Sequence, residues 1–162
     1  MPKAVEMFTL EEKAPDFTLP SSHGDRVSLH DFPGKYIVLY FYPKDNTPGC
    51  TTEACSFRDY HEEFKGLNAV ILGISPDPLK SHDKFIEKYQ LPFLLLSDED
   101  HQVAESYGVW KLKKMYGKEY MGIERSTFII DPEGKLIQIF RKVKVTGHVE
   151  AALEFIKNHM ED

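Results

Sequence analysis

The sequence predicts an α/β fold in which buried strands alternate with amphipathic helices. Three observations predict it. Two runs, Tyr36-Ile37-Val38-Leu39-Tyr40-Phe41-Tyr42 and Ala69-Val70-Ile71-Leu72-Gly73-Ile74-Ser75, are apolar almost throughout and rich in β-branched residues. Such runs read as buried strands. The segments that follow each run carry apolar residues three and four apart, the helical period. Near the C-terminus, two further apolar runs flank Asp131-Pro132-Glu133-Gly134, a strong turn, so the second returns beside the first.

Taken in order, residues 1–14 read as a loosely held lead-in. Asp16-Phe17-Thr18-Leu19 and Arg26-Val27-Ser28-Leu29 alternate as short strands, and Ser21-Ser22-His23-Gly24-Asp25 turns between them to make a hairpin. His30 to Lys35 is a turn or one helical turn, ended by Pro33-Gly34. The central strand, 36–42, follows. A helix is expected from Cys50 to about Phe64, closed by Gly66, with Phe57, Tyr60 and Phe64 on one face. After the strand 69–75, Ser75-Pro76-Asp77-Pro78 opens a helix through Phe85, Ile86 and Tyr89 that ends before Pro92. Phe93-Leu94-Leu95-Leu96 is a short strand, and a helix around Gln102–Tyr107 stops at Gly108. Residues 111–124, rich in Lys, Gly, Tyr and Met, show no clear period and read as a loop or irregular edge. Ser126–Ile130 and Lys135–Phe140 are the strand pair. The last helix runs from about Gly147 to His159, with Val149, Leu153, Ile156 and Met160 as its apolar stripe.

The order is a hairpin, then β-α-β-α-β-α, then β-β-α. A βαβ unit followed by a ββα unit is the pattern of the thioredoxin fold. No repeat, linker or low-complexity segment interrupts it, so one domain over residues 1–162 is expected.

Composition narrows the function. A formal charge of −6 argues against a nucleic-acid binder, which usually shows a basic face. No apolar run approaches the roughly 20 residues that span a bilayer. The start, Met1-Pro2-Lys3-Ala4-Val5-Glu6, has no stretch of signal-peptide type, so a cytoplasmic chain without membrane association is expected. Two cysteines in such a chain point to catalysis, redox chemistry or metal rather than a structural staple. Metal is the weaker reading, because two thiolates need two more ligands and the seven histidines lack ligand-like spacing.

Both cysteines fall in Tyr42-Pro43-Lys44-Asp45-Asn46-Thr47-Pro48-Gly49-Cys50-Thr51-Thr52-Glu53-Ala54-Cys55. Pro48 suits the first helical position, where its missing N–H has no partner to lose. Cys50 then sits in the first turn of a helix at the end of a central strand. The free N–H groups there carry partial positive charge, which favours thiolate over thiol. Thr47 fits the helix N-cap, with Asn46 as a rival.

The string Pro43-x-x-x-Thr47-x-x-Cys50 resembles the peroxiredoxin active-site motif. With Lys44-Asp45, Pro48-Gly49, Thr51 and Glu53-Ala54-Cys55 it is similar to the peroxiredoxin Q branch, also called bacterioferritin comigratory protein. Ala14-Pro15-Asp16-Phe17, Gly73-Ile74-Ser75-Pro76-Asp77, Leu96-Ser97-Asp98, Tyr107-Gly108-Val109-Trp110 and Arg125-Ser126-Thr127-Phe128 extend the resemblance over nearly the whole chain. It implies a thioredoxin-like fold with an added N-terminal hairpin and an inserted helix and strand. It also implies that Cys50 is the nucleophile towards hydrogen peroxide or an alkyl hydroperoxide, and that Cys55 resolves the resulting sulfenic acid as an intramolecular disulfide. By the same resemblance Thr47 contacts thiolate and peroxide, Pro43 shields the sulfur from water, Arg125 stabilises the thiolate, and Glu53 holds Arg125. Read without the resemblance, Pro43 ends a strand, Glu53 is an ordinary helix carboxylate, and Arg125 before a strand means little. Some branches carry a second arginine near the start of the last helix; here that region reads Thr146-Gly147-His148-Val149. Thioredoxin or a similar dithiol protein is the implied reductant, with no cofactor and no metal. The branch holds monomers and dimers, and a monomer is expected.

Two rival readings remain. A thioredoxin-like disulfide reductase would use C-x-x-C, whereas this chain has C-x-x-x-x-C. A non-catalytic redox sensor or holdase would use the same thiol without turning over. The spacing also sets a geometric condition. On a continuous helix two Cα atoms five residues apart lie roughly 8.6 Å from one another, beyond the ~6.8 Å a disulfide spans. A Cys50–Cys55 bond therefore requires the helix to unwind locally.

Overall fold

The computed structural model describes residues 8–161 apart from His23. Its centre is a five-stranded mixed sheet made of β3 (Tyr36–Phe41), β4 (Ala69–Ser75), β5 (Leu94–Ser97), β8 (Ser126–Ile130) and β9 (Leu136–Phe140), in the order β5-β4-β3-β8-β9. β3 pairs parallel with β4 and antiparallel with β8. This is the thioredoxin-like arrangement that the element order predicts.

All six residues of β3 are buried, because both faces of the sheet are covered. Side chains alternate across a strand, so Tyr36, Val38 and Tyr40 enter one apolar cluster and Ile37, Leu39 and Phe41 enter the other. The first cluster takes its cover from α1 (Pro48–Asp59), α2 (His61–Gly66), α3 (Leu79–Tyr89) and α5 (His148–Glu161). The second is covered by the N-terminal hairpin, β1 (Thr18–Pro20) and β2 (Arg26–Ser28), and by α4 (Gln102–Ser106). Gly73 on β4 is required by close approach. A Cβ there would lie 2.8 Å from Leu95 Cδ2 and 2.9 Å from Tyr40 Cζ. Gly73→Ala is therefore expected to cost about 1–3 kcal/mol through overpacking, read as a lowered urea midpoint.

Several boundaries and one element differ from the sequence reading. The lead-in lies partly outside the described residues, and its described end is not loose. Glu11 and Ala14 donate backbone bonds to Leu136 and Gly134, and Leu136 donates to Glu12. Asp16 and Phe17 precede β1 instead of forming it, because the Asp16 carboxylate accepts the N–H groups of Phe17 and Leu29. The long helix after Cys50 is broken at Tyr60, whose ψ of 6° lies outside the helical range, so α1 and α2 are separate. Met160, in the last turn of α5, is 48% exposed and drops out of the apolar stripe.

Residues 111–124 are not a loop. They form a hairpin of β6 (Trp110–Met115) and β7 (Lys118–Ile123), separate from the main sheet. Its two-residue turn is Tyr116-Gly117, with φ of +53° and +77°. Two positive φ values make the primed turn that matches strand twist. The hairpin carried no period because both its faces are largely exposed, with Leu112, Met115, Tyr116, Tyr120 and Met121 all in solvent.

Candidate active site

The site is built where β3 ends and α1 begins. Tyr42 N–H still bonds to Ile74 O. The chain then turns through Pro43-Lys44-Asp45-Asn46-Thr47 and enters α1 with Pro48 at its start. Asn46 adopts φ +59°, a conformation that Asn tolerates better than most residues. It is not the cap, since its Oδ1 accepts from Tyr89 OH at 3.2 Å. Thr47 is the N-cap residue by backbone conformation, yet its hydroxyl makes no cap bond. It donates instead to Lys44 O at 2.8 Å. That leaves the first turn of α1 without a side-chain cap.

Cys50 is in that first turn, 1% exposed. Arg125, 75 positions away in the chain, reaches across from the start of β8. Its Nη2 donates to Cys50 Sγ at 3.2 Å and its Nη1 donates to Glu53 Oε1 at 2.6 Å. Gly49 makes room, because a Cβ at that position would lie 3.2 Å from Arg125 Nη2. One guanidinium thus binds a sulfur and a carboxylate three residues apart on one helix face. The arrangement holds a fixed cation against a sulfur at a helix start, which stabilises negative charge on that sulfur or on an oxygen next to it. Cys55 is on the same unbroken helix, half-buried, and both cysteines are free thiols.

Glu53 is fully buried, and among the described residues its Oε2 has no hydrogen-bond partner. Burial pushes its carboxyl up to about 7 from an ordinary 4.5, with Arg125 holding it down against that push. His148, in the place where some branches carry a second arginine, lies at the start of α5 with Nε2 2.7 Å from Thr127 Oγ1. Its ring packs edge-on to Phe140 and Phe57. Burial, followed by the Arg125 charge, pushes it down to about 4, so it is neutral at neutral pH and supplies no second cation. Burial, and then the charge of Arg125, lower the pKa of Lys113 on β6.

Glu53 and His148 oppose each other in stability. The folded chain holds the Glu53 proton up to about pH 7 while the unfolded chain loses it near 4.5, so this term falls as pH rises between those values. The unfolded chain holds the His148 proton up to about 6.5 while the folded chain loses it near 4, so that term rises over almost the same range. Each is worth roughly 3 kcal/mol. The wild-type denaturant midpoint is expected to change little between about pH 5 and 7 from this pair. Glu53→Gln should gain stability with rising pH, and His148→Asn should lose it.

Sequence reasoning missed a second cluster beneath the loop. Asp45, Asp77 and His82 bring potential ligand atoms within 4.8 Å of one another. Each is occupied by internal hydrogen bonds, described below. No local pattern could have revealed the contact, because His82 is 37 positions from Asp45.

Comparison with known proteins decides the family. Residues 10–139 match the AhpC/TSA family. The chain belongs to that family, in its peroxiredoxin Q branch. Peroxiredoxin Bcp of Bacillus subtilis is 63% identical over 150 residues, which are 93% of this peroxiredoxin and 96% of the relative. A cysteine mutant of PrxQ from Xylella fastidiosa superposes with a TM-score of 0.90 at 38% identity, covering 96% of this peroxiredoxin and 99% of that chain. The bacterioferritin comigratory protein of Xanthomonas campestris, solved in work on its alkyl peroxide reduction activity, gives a TM-score of 0.84 at 47% identity, covering 88% and 91%.

Proposed function

We propose that this peroxidase, an oxidoreductase by its family, reduces hydrogen peroxide and organic hydroperoxides at Cys50 and is recycled through Cys55 by thioredoxin or a similar dithiol protein. The observation that carries the reading is the Arg125 guanidinium bonded at once to Cys50 Sγ and Glu53 Oε1. The alkyl peroxide reduction of the Xanthomonas relative supports the organic substrates.

The chemistry follows from the groups present. The Cys50 thiolate attacks one peroxide oxygen, the O–O bond breaks, and the leaving alkoxide or hydroxide takes a proton. Arg125 and the uncapped N–H groups of the first turn of α1 stabilise charge on that leaving oxygen. Thr47, two residues before the start of the first turn's free N–H groups, carries the hydroxyl that the family motif assigns to the arriving peroxide, and it would turn from Lys44 O to do so; by the same motif Pro43 helps shut out water. Cys50 becomes a sulfenic acid, which condenses with the Cys55 thiol and releases water. The dithiol partner then reduces the disulfide and is oxidised in its place. Among the described residues no helix is long and apolar enough to cross a membrane. We place the enzyme in the cytoplasm, where thiols such as these stay reduced between turnovers.

The test is peroxide consumption at steady state with thioredoxin, its reductase and NADPH, alongside insulin reduction by the dithiol form. Sustained consumption of hydrogen peroxide and of cumene hydroperoxide is expected. Insulin reduction outpacing peroxide reduction would make the chain a disulfide reductase instead. A single turnover without recycling would make it a sensor.

A further inference from the structure

We propose that His82 is a positioning residue for the reacting loop, acting through Asp45. The inference rests on the peroxidase reading above.

The loop from Pro43 to Thr47 has Asp45 at its middle, and Asp45 is held from three sides. Its backbone N–H donates to Asp77 Oδ2 at 2.8 Å. Its Oδ1 accepts from Tyr42 OH at 2.6 Å, and its Oδ2 accepts from Ser81 Oγ at 2.8 Å. The same Oδ2 lies 2.7 Å from His82 Nδ1. Asp77 is itself held, since Ser75 Oγ donates to its Oδ2 and Ser97 Oγ donates to its carbonyl. The loop is thereby tied to the end of β4, to α3 and to β5.

His82 is the keystone because its hydrogen bonds leave it no freedom. It is fully buried on α3. Its Nε2 lies 3.0 Å from Leu96 O, and a carbonyl only accepts, so Nε2 carries a hydrogen. The contact between Nδ1 and Oδ2 then needs one proton between the two atoms, whichever formally owns it. Asp45 is 6% exposed, and a carboxylate so buried is costly without a charged or donating partner. Removing His82 leaves that buried carboxyl group only the hydroxyls of Tyr42 and Ser81, and moving the loop towards water is its way to replace the lost partner.

The displacement matters because Asp45 sits between the residues assigned to the reaction. Pro43 lies two positions before it and Thr47 two after, and Thr47 Oγ1 is anchored on Lys44 O next door. The loop also sets where α1 starts, and with it the N–H groups of the first turn. An error near 1 Å in such a frame can cost up to about a hundredfold in rate. Cys55 lies outside the frame, so its condensation with the sulfenic acid should not depend on His82.

The experiment follows the two chemical steps separately by stopped flow, in variants shown to be folded by circular dichroism. His82→Ala is expected to slow sulfenic acid formation by about tenfold or more and leave condensation unchanged. His82→Asn can return an amide N–H to Asp45 Oδ2 while losing Leu96 O, and is expected within about threefold of wild type. Ser81→Ala, which removes a single donor from a half-exposed position, should slow the first step by about threefold and stands in if His82→Ala fails to fold. Wild-type speed in His82→Ala or in Ser81→Ala would overturn the proposal. So would His82→Asn as slow as His82→Ala, because the effect would then not pass through Asp45. Wild type without peroxidase activity would instead refute the functional reading on which the proposal rests.

Discussion

Cys50→Ser is expected to abolish peroxide reduction, lowering the rate by roughly three orders of magnitude or more, as loss of a nucleophile does. A serine hydroxyl in the same place meets the same Arg125 but is far too weak an acid to be drawn into its anion near neutral pH. Cys55→Ser is expected to behave differently. Its first turnover should proceed at the wild-type rate, because Cys55 takes no part in the Cys50–Arg125–Glu53 contacts. The reaction should then stop at a sulfenic acid that a dimedone-type reagent traps, and cycling with thioredoxin should be lost. Intact mass after one equivalent of peroxide separates the outcomes. Wild type should show the loss of two hydrogens that marks a disulfide. Cys55→Ser should show one added oxygen. Full cycling by Cys55→Ser would show that another thiol, from the reductant itself, resolves Cys50.

In the oxidised protein, amide exchange across residues 50–60 is expected to be faster than in the dithiol form by roughly two orders of magnitude, as a segment passing from helix to open chain shows. The structure sharpens the reason. α1 runs unbroken through both cysteines, so their Cα atoms are held roughly 8.6 Å apart, and the bond cannot close until at least the turn holding Cys55 opens. Opening exposes Ala54 and Phe57, both fully buried against the sheet, which opposes it. It also returns to water the Glu53 carboxyl, whose Oε2 is unpartnered among the described residues, and this favours it. The break at Tyr60 confines the rearrangement, since α2 can keep Phe64 in the core while α1 unwinds. Equal protection in both forms, with the Cys50–Cys55 bond confirmed by mass, would exclude the unwinding. Glu53→Gln should leave a helix that opens less readily near pH 8, where the wild-type carboxyl is ionised.

The sequence by itself determined the strands of the central sheet, their order along the chain and the place of the cysteine turn. These are local properties. A β-branched apolar run, a three-and-four repeat and a Thr-Pro-Gly turn each act within a few residues, so their signal is complete in a short window. Even Arg125 and Glu53 could be named, because the motif residues around them resemble those of a known family. Only the tertiary structure decided how these groups meet. Arg125 reaches Cys50 because β8 lies antiparallel to β3 and brings position 125 to the end where α1 starts. Glu53, an ordinary carboxylate in a helical sequence, is fully buried because that face of α1 lies on the sheet. The hairpin 110–123 gave no pattern, since a strand exposed on both faces has no need to alternate. Asp45 and His82 gave none because a buried charge finds its partner in space, through the packing of α3 against the loop. Burial and long-range contact are set by the whole chain at once, and no window of the sequence contains them.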